Sequence, residues 1–543
     1  MTSKAHLRQL DLFFTKYIAL NLRPSSHRIL VIFVCLLIFM ICFSLQLAYR
    51  VMPSCNLLSP EITFTGRRLQ TASLKLVQIR SVPKRLIEEA RSWDDDLQCD
   101  RSNNRTDVCV ARGNVLVVGG GGGLGRDYEV FVFADGGPER QERVKPYTRK
   151  WESSVMSTID EVKIRKLVAN GSGTGNKVVR SELSSRADNR GYGFDHGPLL
   201  SDGSRSTGNK RKNKKRGQSK KSLSICDIRH EVPAIIFSTG GYTGNVYHEF
   251  NDGLIPLFLT AQQYSPPQGQ VVLVILEYHP WWMTKYSEVI SQITNYTVID
   301  LARDARRHCF PEVTVGLRIH GELSIDSHLA DDGATMEGFQ RLLSTAYGWR
   351  SRAEIEQRDG AVSNPVTQPK LLILSRNGSR ILLNQDDVVS LAADIGFSVQ
   401  VMSPTPMTEM ADIYASVNTC DLMMGVHGAA MTHLLFLRPG KTLIQVVPLG
   451  TDWAAEAYYG EPARKLGLHY VQYKVSPQES SLSELYDSHD PVLMDPASVN
   501  RRGWRETKRV YLDGQNVTIS LTRMAVILRA AYARACTDVR VDG

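Results

Sequence analysis

Residues 422–447 read LMMGVHGAAMTHLLFLRPGKTLIQVV. The pattern predicts a strand over 422–426, a helix over 429–437 and a second strand over 442–447, because short apolar runs flank a longer one that begins at a glycine-rich turn. A strand, a helix and a strand in succession form the unit of parallel sheets that carry helices on both faces. This stretch therefore predicts an α/β fold.

The same alternation continues on either side of this stretch. Further strands are predicted at 234–238, 270–278, 370–375 and 397–402, and further helices at 245–264, 283–293, 385–395 and 408–417. These elements fall into two groups, about 226–340 and about 368–450. We therefore expect two Rossmann-like domains that face a cleft, with ligands bound near the carboxyl ends of the strands.

The N-terminal region contains a predicted membrane anchor. Residues 29–49 are 21 positions without a charge, enough for a helix to cross a bilayer. A cleaved signal peptide would have a shorter apolar run and a small-residue cleavage site. Five basic residues and one acidic residue precede the span, which predicts a cytoplasmic N-terminus. The prediction is a type II protein with a cytoplasmic tail (1–28), a signal-anchor (29–49), a stem (50–94) and a lumenal domain (95–543).

Glycosylation sequons and cysteines agree with a lumenal domain. The five sequons follow the anchor, at Asn104, Asn170, Asn295, Asn377 and Asn516. Seven cysteines also follow it, and disulfides persist in such an oxidising compartment. Cys99 and Cys109 are close enough in sequence to form a disulfide. A zinc ribbon is disfavoured because the chain has no pair of cysteines separated by two residues.

Positive charge is concentrated in one segment. The net charge is +9, and residues 205–221 contain nine basic residues and no acidic one, so the rest of the chain is balanced. This distribution disfavours nucleic-acid binding by the whole surface. The run lies within about 168–224, a polar segment that predicts a disordered basic insertion. The glycines at 119–123 do not match a phosphate-binding loop and predict a flexible insertion.

The G-V-H-G turn at 425–428 is the strongest candidate for a binding site. Amide groups of Gly428, Ala429 and Ala430 open the predicted helix and would face an anion. His427 could donate a hydrogen bond to a phosphate oxygen. A packing turn with a capped histidine explains the same residues.

Two arginines, Arg376 and Arg380, follow the predicted strand at 370–375. Paired guanidinium groups match the charge and geometry of a diphosphate. Surface arginines in a loop are the alternative interpretation.

A third cluster lies at the start of the predicted helix 245–264. His248 and Asp252 are four residues apart and share a helix face, with Glu249 beside them. Such a group could remove a proton from a hydroxyl. A polar first turn with capping acids is the alternative.

Together these motifs resemble glycosyltransferase family 61. The matching stretches are 99–109, KPYTRKW at 145–151, 244–256, 375–380 and GVHG at 425–428. LIQVVPLG at 443–450, YYG at 458–460 and YLDGQNV at 511–517 are similar to the plant branch that decorates xylan. The resemblance covers about 95–535 without 168–222.

The resemblance implies a GT-B architecture, a type II Golgi membrane enzyme and inverting transfer of a pentose, arabinofuranose or xylose, from a UDP-sugar to a xylan or xylo-oligosaccharide acceptor. The donor-binding half would be about 368–450. Other xylan-synthesising transferases are further expected partners. The anionic leaving group would be held by electrostatic donors, namely Arg376, Arg380, His427, Gly428, Ala429 and Ala430.

An inverting transfer needs one base that takes the proton of the acceptor hydroxyl. We expect Asp252 to be the base, with His248 or Glu249 as substitutes. No essential metal or other cofactor is expected, because the one D-x-D pattern, at 94–96, follows no strand.

Ala430, Met431 and His433 stand where the family more commonly has Gly, Leu and Asn. These departures leave open a non-catalytic lumenal glycan-binding or scaffold protein. An N-glycan β-1,2-xylosyltransferase is a further alternative.

Overall fold

A computed structural model describes residues 96–120, 128–168, 225–264, 270–330, 333–359 and 368–541. All of them except Gln368 belong to one compact unit. The predicted tail, signal-anchor and stem lie outside the described residues, as do Asn170, Cys55 and the basic insertion except its first residue, Val168. In the described part of the chain, no helix is both long enough and apolar enough to cross a membrane.

The described residues form strands and helices in alternation. The strands are β1 (Leu97–Asp100), β2 (Val108–Val118), β3 (Tyr128–Ala134), β4 (Arg140–Val144), β5 (Val162–Val168), β6 (Ile228–Arg229), β7 (Ala234–Ser238), β8 (Val272–Leu276), β9 (Ile299–Asp300), β10 (Arg307–Val315), β11 (Lys370–Leu374), β12 (Ser398–Met402), β13 (Leu422–Val426), β14 (Thr442–Val447) and β15 (His469–Lys474). The α-helices are α1 (Ser153–Met156), α2 (Val246–His248), α3 (Ile255–Gln262), α4 (Pro280–Ser291), α5 (Met336–Asp359), α6 (Gln385–Ile395), α7 (Met410–Asn418), α8 (Asp452–Ala455), α9 (Glu461–Lys465), α10 (Pro491–Met494), α11 (Pro496–Asn500), α12 (Trp504–Thr507) and α13 (Leu521–Val541). Single turns are π-helical at Glu249–Leu254, Glu456–Gly460 and Lys508–Leu512 and 3₁₀-helical at Pro477–Glu479 and Ser481–Glu484, and Ala429–Phe436 is a longer 3₁₀ helix.

The first sheet has ten strands and is mixed. Its main order is β4-β5-β3-β2-β10-β7-β8-β9, with β1 paired to β2 and β6 to β10. Strands β7 and β8 run parallel, as predicted, and β9, which was not predicted, pairs parallel with β8, whereas β10 and β2 pair antiparallel. The parallel sheet expected for the first domain is therefore extended by β1–β5. Gly119 and Gly120 follow β2, and the Gly120 amide donates to Leu301 at 3.3 Å.

The second sheet has five parallel strands in the order β12-β11-β13-β14-β15. Each residue of β13 and β14 is buried, as expected for strands covered on both faces. The predicted α/β class is confirmed. The sheet also extends beyond 368–450, because β15 lies at its edge.

One apolar core joins the two sheets. It includes Ile235 and Leu273 from the first sheet and Met423 and Leu443 from the second. Helix α5 adds a stripe at helical spacing, Met336, Phe339, Leu343 and Tyr347. The core therefore holds both sheets in one compact unit.

Two disulfides lie in the first sheet. The predicted bond between Cys99 and Cys109 is present, and Cys226 is bonded to Cys309. Leu167, Ile225, Cys226 and Cys309 share a small apolar cluster. The chain before segment 169–224 and the chain after it therefore pack together at one place in the fold.

Candidate active site

The helix predicted at 245–264 carries the first part of the site. It is continuous from Val246 to Gln262 but changes winding, with a π-helical turn at Glu249–Leu254 between α2 and α3. The Asn245 side chain caps it by accepting from the Tyr247 amide at 3.0 Å. Such π turns are frequent at functional sites.

Asp252 is a fully buried carboxylate with several donors. Arg149 Nε donates to Oδ2 at 2.8 Å, and Asn251 Nδ2 donates to Oδ1 at 2.7 Å. Arg105 lies at 3.6 Å from Oδ1. Burial acts to raise the pKa of Asp252, but the hydrogen bond from His248 and the charge of Arg149 hold it below its ordinary value. Asp252 is therefore ionised and has no exposed side-chain surface.

His248 is paired with Asp252 and is the more exposed of the two side chains. Its Nδ1 is 2.6 Å from Asp252 Oδ2, and its side chain is 15% exposed. Arg149 is farther from the same nitrogen, at 3.2 Å. The shorter, charge-assisted contact assigns the ring proton to Nδ1, which leaves Nε2 as a proton acceptor. Tyr242 stacks on the ring, with 4.2 Å between centroids.

Glu249 holds two backbone elements together. It accepts from the Gly244 amide at 2.7 Å and from Trp282 Nε1. Burial raises the pKa of Glu249 to about 7. Its contacts fix the loop before α2 against α4, so Glu249 is engaged in structure rather than directed at solvent.

The residues that surround Asp252 come from distant parts of the chain. Arg149 also pairs with Glu152 at 2.7 Å, and Arg105 pairs with Glu322 at 3.0 Å. Reasoning from the sequence gave none of them a role. Arg149 lies in the KPYTRKW stretch, whose basic and aromatic residues were a signal that was noted without an assigned function.

The G-V-H-G turn follows β13 as predicted. His427 is buried, and its Nδ1 is 2.8 Å from Gln445 Nε2. Because this nitrogen of Gln445 donates, Nδ1 accepts and the ring proton lies on Nε2. Burial lowers the pKa of His427 to about 3, and the charges of Arg380 and Arg376 add to the effect. His427 is thus a neutral donor.

Arg376 lies directly on the backbone of the turn. A Cβ on Gly428 would lie 2.1 Å from Arg376 Nη1, so this contact requires glycine. Arg376 Nε donates to the Ser379 carbonyl at 2.9 Å. No carboxylate of the described residues lies within 4.0 Å of Arg376 or Arg380.

The two arginines form a cationic pair without an ion-pair partner among the described residues; at longer range, the charge of Asp513 favours the charged form of Arg380. Burial lowers the pKa of Arg380 to about 10, and the charge of Arg376 adds to the shift. Nε of Arg380 is buried without a hydrogen-bond partner. Buried guanidinium groups normally have partners. The arrangement is therefore that of an anion-binding site.

The segment after the turn differs from the expected α-helix. Ala429–Phe436 is 3₁₀-helical, and hydrogen bonds in such helices are less well aligned. Ala429 and Ala430 are half-buried at its start. Met431 and His433 are buried in the core, so these departures from the family pattern do not change the surface of the site.

Tyr459 connects the two parts of the site. Its hydroxyl donates to the Gly428 carbonyl at 2.9 Å. Its ring lies 5.5 Å from that of His427 and 6.0 Å from that of Tyr247, the neighbour of His248. The structure thus brings the predicted anion-binding turn and the predicted base cluster together. Sequence reasoning gave Tyr459 no role.

The remaining predicted sites are the glycosylation sequons, of which Asn377 is the neighbour of Arg376 and Asn104 is the neighbour of Arg105. Asn104, Asn295 and Asn377 are exposed, whereas Asn516 is half-buried and its Oδ1 accepts from the Ile381 amide at 3.0 Å. Within the described ranges no group of three or more His, Cys, Asp or Glu could hold a metal. Residues 94–95 of the D-x-D pattern lie outside those ranges, and the metal-free mechanism stays a prediction.

Comparison with known proteins gives consistent matches. The model of the family Glycosyltransferase 61 matches residues 247–444. Xylan glycosyltransferase MUCI21 of Arabidopsis thaliana is 40% identical over 92% of this chain and 92% of its own. Beta-1,2-xylosyltransferase XYXT1 of Oryza sativa subsp. japonica is 32% identical over 83% of this chain and 88% of its own. Alpha-1,3-arabinosyltransferase XAT3 of the same rice is 32% identical over 80% of this chain and 64% of its own.

Proposed function

The chain belongs to the glycosyltransferase 61 family, and on that premise we propose that it transfers a pentose, arabinofuranose or xylose, from a UDP-sugar to a xylan backbone or side chain. The names of three relatives support this class of donor sugar and acceptor. The observation that carries the proposal is the cationic pair Arg376 and Arg380, which lacks a carboxylate partner among the described residues and lies beside the G-V-H-G turn.

The cationic pair would bind the diphosphate of the donor. Two guanidinium groups supply several charge-assisted hydrogen bonds to phosphate oxygens. Neutral His427 would donate from Nε2, and the amides of Gly428, Ala429 and Ala430 would add further donors. These groups would stabilise the charge that develops on UDP as the bond to the sugar breaks. The proposal requires no metal or other cofactor.

His248 is the better-placed base. An acceptor hydroxyl would give its proton to Nε2 of His248, and its oxygen would form a bond to the anomeric carbon. The bond between that carbon and the UDP oxygen would break, with the electron pair leaving on UDP. Asp252 would orient the ring and stabilise the imidazolium, as a carboxylate beside a catalytic histidine does. Its burial supports this positioning role over direct contact with the acceptor.

We further propose a GT-B arrangement, in which the two sheets face one cleft and the second sheet carries the donor. The predicted signal-anchor and sequons support a type II protein of the Golgi membrane with this domain in the lumen. Other xylan-synthesising transferases stay proposed partners.

The test is direct. The full-length chain, purified in detergent, is incubated with UDP-arabinofuranose or UDP-xylose and xylo-oligosaccharides, and products are read by mass spectrometry. We expect a mass increase of one pentosyl residue with one of the donors. Binding of xylo-oligosaccharides without turnover of any UDP-pentose would instead support a non-catalytic glycan-binding protein.

A further inference from the structure

A row of aromatic rings, four of them exposed and one half-buried, lies beside the candidate active site. We call this row the aromatic strip, and it consists of Trp151, Tyr242, Tyr458, Trp453 and Trp504. Trp151, Trp453 and Trp504 are 48%, 45% and 52% exposed, and Tyr242 is 36% exposed. Single exposed apolar residues are ordinary on protein surfaces, whereas a contiguous set indicates a binding surface.

The two parts of the strip are linked through the site by Tyr247, which is itself buried. Trp504 and Trp453 are 6.2 Å apart between ring centroids, and Trp453 and Tyr458 are 5.8 Å apart. Tyr458 lies 5.2 Å from Tyr247, whose ring is 5.2 Å from that of His248. The strip therefore reaches the proposed base from both of its ends, from Tyr242 directly and from Tyr458 through Tyr247.

Its other end is held rigidly. The Tyr242 ring stacks on His248, and its hydroxyl donates to Glu152 at 2.7 Å. Arg105 and Arg149 lie over the Trp151 ring, at 5.0 Å and 5.2 Å from its centroid. The planes of these rings are thus set before any ligand arrives, which lowers the entropy cost of binding.

The chemistry of the strip fits a neutral sugar polymer. The two faces of a pyranose ring present C–H groups, which pack on an aromatic face, while the hydroxyl groups at the ring edge reach polar neighbours. A xylose residue has no hydroxymethyl arm, so both of its faces are flat. Aromatic side chains bury a large apolar area in such contacts. A single sugar would need one ring, whereas a chain could use several.

We infer that the aromatic strip binds successive sugar residues of a xylan chain and carries that chain past His248. The inference rests on the proposed function and adds the location and length of the acceptor site. Short acceptors would occupy only the rings nearest His248. Longer acceptors would also reach Trp453 and Trp504 and would bind more tightly.

The test compares acceptor lengths. KM and kcat are measured for xylobiose and xylohexaose with the full-length chain and with the variant W453A/W504A, and binding of xylohexaose is measured by calorimetry. We expect KM for xylohexaose to rise about tenfold or more, as for loss of buried aromatic anchors, with kcat and the xylobiose values unchanged. The matched control is W349A, which removes an exposed tryptophan outside the strip, 49% exposed and stacked by Arg350.

A competing location is an open cavity of about 580 Å³ at the carboxyl ends of β7 and β8, lined in part by Glu277, Trp281 and Asp300. If W281A weakens the binding of xylohexaose and W453A/W504A does not, the proposal that the strip binds the acceptor is refuted. Unchanged length dependence in W453A/W504A refutes it as well. Strip-dependent binding of xylohexaose without transfer of any pentose would keep the strip and reject the proposed reaction, so the two failures are distinguishable.

Discussion

Replacing His248 by Gln and, separately, Asp252 by Asn distinguishes the base from the group that positions it. His248→Gln leaves the ion pair of Asp252 and Arg149 intact, so we expect a change in the free energy of unfolding of about 1 kcal/mol. Loss of a positioned general base lowers turnover about 10²–10⁴-fold. This factor corresponds to about 3–5 kcal/mol in the activation free energy.

Asp252→Asn is expected to act on stability as well as on turnover. It removes the negative charge that lies 2.8 Å from Arg149 and 3.6 Å from Arg105. Breaking a buried ion pair by removing one partner costs about 3–5 kcal/mol. Arg149 and Arg105 keep Glu152 and Glu322 as partners, so the lower end of that range is expected.

Both variants are assayed for kcat at saturating UDP-pentose and xylo-oligosaccharide, for UDP affinity by calorimetry and for unfolding in urea. His489→Gln is the matched control, because the His489 side chain is 93% exposed. UDP affinity should be unchanged in His248→Gln. A His248→Gln enzyme with wild-type kcat, beside an Asp252→Asn enzyme that is stable but inactive, would refute this assignment and make Asp252 the base.

Three further predictions concern the donor site, pH and metals. Arg376→Ala should weaken UDP binding by about 1.5–3 kcal/mol through loss of a charged hydrogen bond. Gly428→Ala should also weaken UDP binding, because its Cβ would displace the Arg376 guanidinium. Equal UDP affinity in calorimetry for the wild type and both variants would contradict the proposed donor site. Burial lowers the pKa of His433 to about 3 in the folded protein. Below about pH 6.5 the unfolded chain therefore binds a proton at this residue that the folded protein does not bind. The free energy of unfolding should consequently decline between about pH 6.5 and about pH 3. His433→Leu should therefore reduce the difference in unfolding free energy between pH 7 and pH 5 by ~2 kcal/mol in urea titrations, and an undiminished difference would show that other groups cause it. Saturating EDTA should leave the transfer rate unchanged because arginines carry the leaving-group charge; a rate abolished by EDTA and restored by Mn²⁺ would overturn the metal-free mechanism.

The central parallel strands β7, β8, β11, β13 and β14 were predictable because burial on both faces makes each one an almost continuous apolar run. The expected ranges 422–426 and 442–447 coincide with β13 and β14. Strands β1–β5 were missed, as were β6, β9, β10 and β15. In β5 buried and partly exposed positions largely alternate, and β4 is mostly exposed, so their apolar runs are short. In the sheet β5 pairs with β3 and β4 pairs with β5, and local pattern does not specify these partners.

The candidate site was predictable in its parts but not in its connections. His427, Arg376 and His248 stood out because each lies next to a predicted strand or helix terminus. Arg149 contacts Asp252 across 103 residues of sequence, and no local spacing indicates such a pair. The burial of Asp252 follows from that contact. This is why the sequence favoured Asp252 as the base, whereas in the structure the His248 side chain is the more exposed of the two.

The small cluster of Leu167, Ile225, Cys226 and Cys309 has a consequence for chain length. Since the segment 169–224 leaves and re-enters the fold at one place, replacing it by a linker of about eight residues should move no strand. The entropic cost of closing the loop would fall by roughly 1–2 kcal/mol when it is shortened. The Cys226–Cys309 disulfide would still hold the chain where it returns to the fold. The length and composition of the segment can therefore drift in evolution, or be trimmed for crystallisation, independently of the enzyme that it interrupts.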